Sequence, residues 1–300
     1  MIRKLHRFAE SDHKIADLLR KSVHSSIWIS FDGVCAAIMS TIALGQPHSI
    51  GAYAITFLMV YAMYNMDRFS GNLEDQQNHP KRHAFIKKYR QHLLKTSTAA
   101  VVIALIIAFS RNTNTLLMVV SPIVLALIYS LKILPRTRKV ERIKDTTLGK
   151  PIILSLCWAI ITIGVVAAYY DTGLTLGVIV IAFIIFSRSF LSSVVCDIRD
   201  VAGDRKHKTP TIPVIFGESK TRLLLYAYLT SLVLFTQYTI FSNILPKLMS
   251  LVNLTSIQAY YYIHETQKPG PHIRTLTDVI VDSEFMVMGI AAIIGQFLLN

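Results

Sequence analysis

Nine stretches of this sequence, at about 27–44, 51–67, 93–110, 115–132, 151–169, 173–196, 222–241, 243–263 and 279–299, are apolar over long distances. Each approaches or reaches the roughly 17 to 25 residues that a helix needs to cross a bilayer. With 52% of its 300 residues hydrophobic, the chain carries more apolar side chain than one soluble core of this length absorbs. The expected fold is therefore all-α, a polytopic membrane helix bundle of about nine transmembrane helices. The first two stretches are short, and the eighth is interrupted by Pro246 and Lys247.

The connections alternate. Those after the first, third, fifth and seventh stretches are a few residues long, whereas the even-numbered ones are longer and basic. Of the 31 Lys and Arg, all but Arg111, Arg188 and Lys247 fall in the N-terminal arm or at the even-numbered connections. By the positive-inside bias these segments and the N-terminus are cytosolic. A formal charge of +13 would point to nucleic acid in a soluble protein, but here it is spread between apolar spans and reads as topology, with no nucleic-acid partner. Residues 1–26 form a basic amphipathic arm without the apolar segment of a signal peptide, and residues 27–300 form one transmembrane helical domain. The absence of a transit-peptide pattern points to a prokaryotic plasma membrane. Cys35, Cys157 and Cys196 lie in apolar segments without CxxC spacing and read as core thiols.

Chemistry-bearing residues gather at the ends of even-numbered spans. The sixth runs into Asp197-Ile-Arg-Asp200-Val-Ala-Gly-Asp204-Arg205, and a continued helix places these aspartates at i, i+3 and i+7 on one face. Three like charges so spaced call for a cation among them, and Mg²⁺ suits carboxylates that share it with water and phosphate oxygens. The bland alternative is a solvated helix end balanced by Arg199, Arg205 and Lys206. Thr209-Pro-Thr-Ile-Pro213-Val-Ile-Phe-Gly217 then supplies a turn back toward the bundle. The second span ends in Tyr64-Asn65-Met-Asp67-Arg68, with Glu74 and Asp75 within helical reach of Asp67. Both ends emerge on the same face, so the two acidic patches are expected to converge on one central cavity open to the cytosol. Lys132, in Tyr129-Ser-Leu-Lys132, is a candidate to neutralise diphosphate oxygens.

Arg188 lies inside the sixth span, where a charge is functional by default or else pairs with Asp32 or a backbone carbonyl. His79 and His83 flank Pro80 and lack a third zinc ligand. Tyr260-Tyr-Tyr262 reads as interfacial aromatic belt.

The stretch Asp197 to Arg205 followed by Thr211-Ile-Pro-Val and Gly217 resembles the second aspartate-rich motif, and the turn after it, of the UbiA superfamily of intramembrane prenyltransferases. The Tyr129-Ser-Leu-Lys132 connection and the nine-span layout are also similar, so the resemblance covers most of the chain. In the first motif Asp67-Arg68 matches the family's Asp-Arg pair. Met63 and Tyr64 stand where an Asn-Asp pair is usual, and Gly71 stands where a further Asp is usual.

The resemblance implies a Mg²⁺-dependent transfer of a polyprenyl group from a prenyl diphosphate to an aromatic or lipid acceptor within the membrane. Asp67, Asp75, Asp197, Asp200 and Asp204 would hold the metal, and Asp67, Asp197, Asp200 and Asp204 would serve catalysis. Arg68, Lys132, Arg205 and Asn65 would bind the diphosphate. Two other readings stay open: a membrane terpene cyclase of the same superfamily that uses no acceptor, and a non-catalytic transporter or assembly protein.

Overall fold

The computed structural model describes residues 14–69, 78–130, 146–268, 270 and 272–299, and contains no β-strand among them. Helix α1 (Lys14–His24) leads into α2 (Ile27–Ala43) and α3 (Ile50–Phe69). Next come α4 (Pro80–Arg111), α5 (Thr113–Ser130), α6 (Gly149–Ala159), α7 (Val165–Tyr169) and α8 (Leu176–His207). Short α9 (Ile212–Phe216) precedes α10 (Glu218–Phe241), α11 (Met249–Leu254), α12 (Ser256–Glu265), α13 (His272–Thr275) and α14 (Glu284–Leu299).

Helix covers most of every apolar stretch read from the sequence. Among the described residues four helical rods are by themselves long and apolar enough to cross a membrane: α4, α6 joined to α7, α8 and α10. A fifth appears if α1 and α2 count as one rod, bent by 72° at Ser26, which is left-handed at φ 68°. The eighth stretch is broken, beginning as helix only at Met249 and restarting after Leu254. Large side chains face outward along the rods, among them Phe109, Leu117, Leu234 and Phe297. An apolar surface of this extent is stable when lipid is the solvent.

Within the bundle α2 packs on α14 and α3, α3 on α4, and α8 on α6. Two departures from regular helix shape the interior. A π-turn, Ile160–Gly164, joins α6 to α7, and the Thr56 hydroxyl on α3 donates to the Ile161 carbonyl at 3.1 Å, occupying an acceptor in the widened turn. The lead-in to α14 is likewise irregular, a π-turn over Leu276–Ile280 and a 3₁₀ turn over Val281–Ser283.

Arg188 pairs with Glu284, not with Asp32, and both are almost fully buried. Its Nη1 donates to Ser256 at 2.9 Å, while Ser192 and Tyr262 donate to Glu284 Oε2 at 2.6 and 3.0 Å. This network ties α8, α12 and α14 together. Removing one member of such a buried pair costs about 3–5 kcal/mol, because the other charge is stranded. Tyr262 is thus a core residue at 0% exposure and not part of an interfacial belt. The Tyr260-Tyr-Tyr262 run straddles a helix, so only part of it faces outward.

Candidate functional site

One cavity of about 510 Å³ opens among the ends of the rods. It is walled by the starts of α2, α4, α6 and α14 and by the ends of α3, α5 and α8. That set is what an up-and-down bundle brings to one side when successive rods alternate in direction. Asp67, Arg68 and Asp200 all line the cavity, so the acidic ends of α3 and α8 meet at one mouth.

Helix α8 continues unbroken through the aspartates to His207, and the three carboxylates have different surroundings. Asp200 is gripped by its neighbour: Arg199 Nε and Nη2 donate to its two oxygens at 2.9 and 2.6 Å. The same guanidinium reaches Thr277 at 2.8 Å and Asp278 at 3.0 Å, linking α8 to the irregular lead-in of α14. His79 Nε2 stands 3.6 Å from Asp200 Oδ1. Burial, helped by the positive field of Arg199, pulls the His79 pKa below the ordinary imidazole value.

Asp197 is 1% exposed and receives Lys150 Nζ at 2.8 Å on Oδ1, whereas its Oδ2 is buried without a hydrogen-bond partner. Asp204, also buried, accepts from Thr211 Oγ1 at 3.1 Å. The Thr209 N–H donates to the Asp204 carbonyl at 2.8 Å. These two bonds fasten the Thr-Ile-Pro turn under the helix end, and Gly217, at φ 83°, then lets the chain reverse into α10. Gly203 has its own reason: a Cβ there would overlap the Asn78 carboxamide, so its absence lets the segment before α4 lie against α8.

On the α3 side, Asp67 is exposed at the last turn. Arg68 Nη1 donates to the His24 carbonyl at 2.9 Å and to the Ser26 hydroxyl at 2.7 Å. Asn65, expected to touch diphosphate, is 0% exposed. Its amide donates to Ser25 and Tyr61 carbonyls and its oxygen accepts from Ser26. Arg205 is exposed and is not among the residues lining the cavity. Asp75 and Lys132, with Glu74, lie outside the described residues.

Lys150, one of the basic residues of the connection that holds Lys132, lines the cavity, and so do groups that the sequence did not place there: Asp32 and Arg199, read only as charge partners, and Arg82, Asp278, Asp282 and Glu284. The last three announce themselves much as the α8 triplet does, as acidic residues clustered where an even-numbered connection enters an apolar span. Deeper in, Trp158 stacks on Phe285 at 5.1 Å between centroids, and its indole N–H donates to the Tyr64 hydroxyl at 3.0 Å. Ile29, Val60, Ile123 and Ile161 complete an apolar lining.

Among the described residues no three His, Cys, Asp or Glu side chains converge closely enough to hold an ion alone. The donor chemistry nevertheless fits Mg²⁺. That ion is commonly bound by one or two carboxylates plus substrate phosphates and not by an all-protein cage. Asp67 and Asp200 offer hard oxygens to the mouth, and the buried Asp197 Oδ2 lacks a partner.

Comparison with known proteins gives the same direction. A search of curated protein sequences finds no match. The fold is similar to a UbiA homologue from Archaeoglobus fulgidus solved with GPP and Mg²⁺, at 16% identity over 92% of this chain and 98% of that one, TM-score 0.62. It is similar to the apo UbiA homologue from Aeropyrum pernix K1, at 15% identity over 93% and 98%, TM-score 0.63. A structure described as digeranylgeranylglyceryl phosphate synthase aligns at 14% identity over 92% and 96%, TM-score 0.59. At such identities these likenesses speak for the fold alone. The model of the UbiA prenyltransferase family, however, matches residues 26–279, most of the chain and both acidic helix ends, and the protein belongs to that family.

Proposed function

We propose that this protein is a Mg²⁺-dependent prenyltransferase that moves a polyprenyl group from a prenyl diphosphate to an acceptor within the membrane. The observation that carries this reading is one cavity that is charged at its mouth and aromatic and apolar below. A diphosphate and its hydrocarbon tail need those two environments in that order. The A. fulgidus homologue crystallised with GPP and with DMAPP, each together with Mg²⁺, supports the same donor class. Positive-inside charge supports a cytosolic mouth and N-terminus for a nine-span bundle, with α1 lying along the membrane surface.

Asp67 and Asp200 would hold Mg²⁺ at the mouth, with Asp197 and Asp204 behind them and Asp75 a further candidate. When bound, the metal supplies Lewis-acid stabilisation of the departing diphosphate. Lys150 and Arg82 line the same mouth, and their charge offsets that of the leaving group. The C1–O bond breaks heterolytically, leaving an allylic cation below the mouth. Tyr64, Trp158 and Phe285 present ring faces and edges there, and a desolvated cation over a ring face gains about 2 kcal/mol. The isoleucine and valine walls keep water from the cation, so that the acceptor captures C1 and gives up its proton to the released diphosphate.

Incubation of the purified protein with geranyl diphosphate, Mg²⁺ and a hydroxyl-bearing aromatic or lipid acceptor should release diphosphate and yield a prenylated acceptor, and EDTA should stop both. Asp200→Ala should abolish turnover while circular dichroism stays native-like; thermal unfolding should shift down, because Arg199 loses its bidentate partner and keeps only Asp278. Near-wild-type consumption of donor by that variant would overturn the assignment.

A further inference from the structure

Below the charged mouth, α8 presents a wall that the steps above leave unused. Ser189 and Ser193 are 4% and 3% exposed, line the cavity, and have no hydrogen-bond partner for their hydroxyls. Lying four residues apart, they share one face of α8. At about 1.5 Å per residue Ser189 sits roughly 16 Å and Ser193 roughly 10 Å below Asp200 along the helix axis. Buried hydroxyls left unpaired are unfavourable and uncommon, so two of them on one cavity wall mark a place for a polar guest.

The surroundings limit what that guest is. Ser192, between them in sequence, is committed to Glu284, the first residue of α14. On the other side of the same helix start, Asp32 Oδ1 accepts the Met286 N–H at 2.6 Å, and Asp32 also faces the cavity. Glu284 is matched by Arg188, which is not among the residues lining this cavity. The lining cations are Arg68, Arg82, Lys150 and Arg199. Three of these are bound at the mouth end, Arg68 to the α1–α2 kink, Lys150 to Asp197 and Arg199 to Asp200 and Asp278. Arg82 belongs to the first turn of α4, at the same end. An anionic acceptor group would find Asp32 and the already matched Arg188–Glu284 pair, and no counter-charge left over beside the serines.

We propose that Ser189 and Ser193, with Asp32 opposite them across the start of α14, form the acceptor subsite and select a neutral hydroxyl-bearing acceptor over a carboxylate- or phosphate-bearing one. The inference rests on the prenyl-transfer reading. Each serine hydroxyl both donates to and accepts from an alcohol or phenol, and so orients the acceptor under C1. A carboxylate entering this wall gives up its hydration without an ion pair in return.

The test uses the purified full chain with geranyl diphosphate and Mg²⁺ and two size-matched acceptor pairs: 4-hydroxybenzyl alcohol against 4-hydroxybenzoate, and monoolein against oleoyl lysophosphatidic acid. The neutral member of at least one pair should be favoured by about tenfold or more in kcat/KM. The S189A/S193A double variant should raise the acceptor KM by about tenfold while donor KM and acceptor-free diphosphate release stay unchanged. Preference for the anionic members, transfer to none of the four, or an unchanged acceptor KM in the double variant would overturn the subsite. If the wild type releases no diphosphate from the donor at all, the prenyl-transfer reading itself fails, and that outcome is separable from the others.

Discussion

The two acidic helix ends that meet at the cavity differ in how deeply their carboxylates are set into the fold. On α8 every carboxylate has a dedicated companion: Lys150 for Asp197, Arg199 for Asp200, Thr211 for Asp204. On α3 the carboxylate of Asp67 is exposed at the last turn of the helix, while Arg68 and Asn65 beside it serve the α1–α2 kink. Preorganised charge stabilises a transition state without reorganisation at the moment of reaction. The α8 end is therefore expected to carry most of the catalytic power, and the α3 end to complete the site once substrate arrives.

The largest expected effect tests that asymmetry directly. Asp200→Asn should lower kcat by about a thousandfold, whereas Asp67→Asn should lower it by about tenfold and raise the Mg²⁺ concentration needed for half-maximal rate. Diphosphate release from geranyl diphosphate over a Mg²⁺ titration reads both. Equal losses in the two variants would break the contrast and make the ends symmetric partners.

A smaller effect belongs to a residue that motif reading passed over. Asp278 holds the far side of the Arg199 guanidinium at 3.0 Å and lines the cavity. Asp278→Asn should lower kcat by about a hundredfold by loosening the Arg199–Asp200 fork, with donor KM changed less. Loss of donor binding with kcat intact would instead make Asp278 a group that contacts the donor or its metal. The continued helix of α8 was legible because the spacing of its aspartates is local, yet of the three only Asp200 lines the cavity, and Asp197 and Asp204 are not among its lining residues. The bundle was legible for a similar reason, since apolar length and alternating basic connections are properties of consecutive residues. Asp32, Asp278, Asp282 and the Arg188–Glu284 pair were not, because their roles arise from contacts between α2, α8 and the lead-in to α14. That lead-in is π and 3₁₀ turn, which hydrophobic periodicity does not register. Asn65 misled for the converse reason, being a polar residue next to a motif whose hydrogen bonds are satisfied inside the fold.

The smallest expected effect concerns Arg68. In sequence it looks like a diphosphate ligand, and it does border the cavity. Its Nη1, however, bridges the His24 carbonyl and Ser26 hydroxyl, which fixes the bend where α1 turns into α2. A lysine keeps the charge but loses the planar fork, so Arg68→Lys should cost about 1 kcal/mol of stability and change donor KM by no more than about threefold. Thermal unfolding in detergent and steady-state kinetics on one preparation separate the two quantities. A donor KM raised by about tenfold or more with unchanged unfolding would mean that Arg68 leaves the kink to meet the diphosphate. The α3 end would then be the half of the site that is assembled by substrate, built around an arginine as well as a carboxylate.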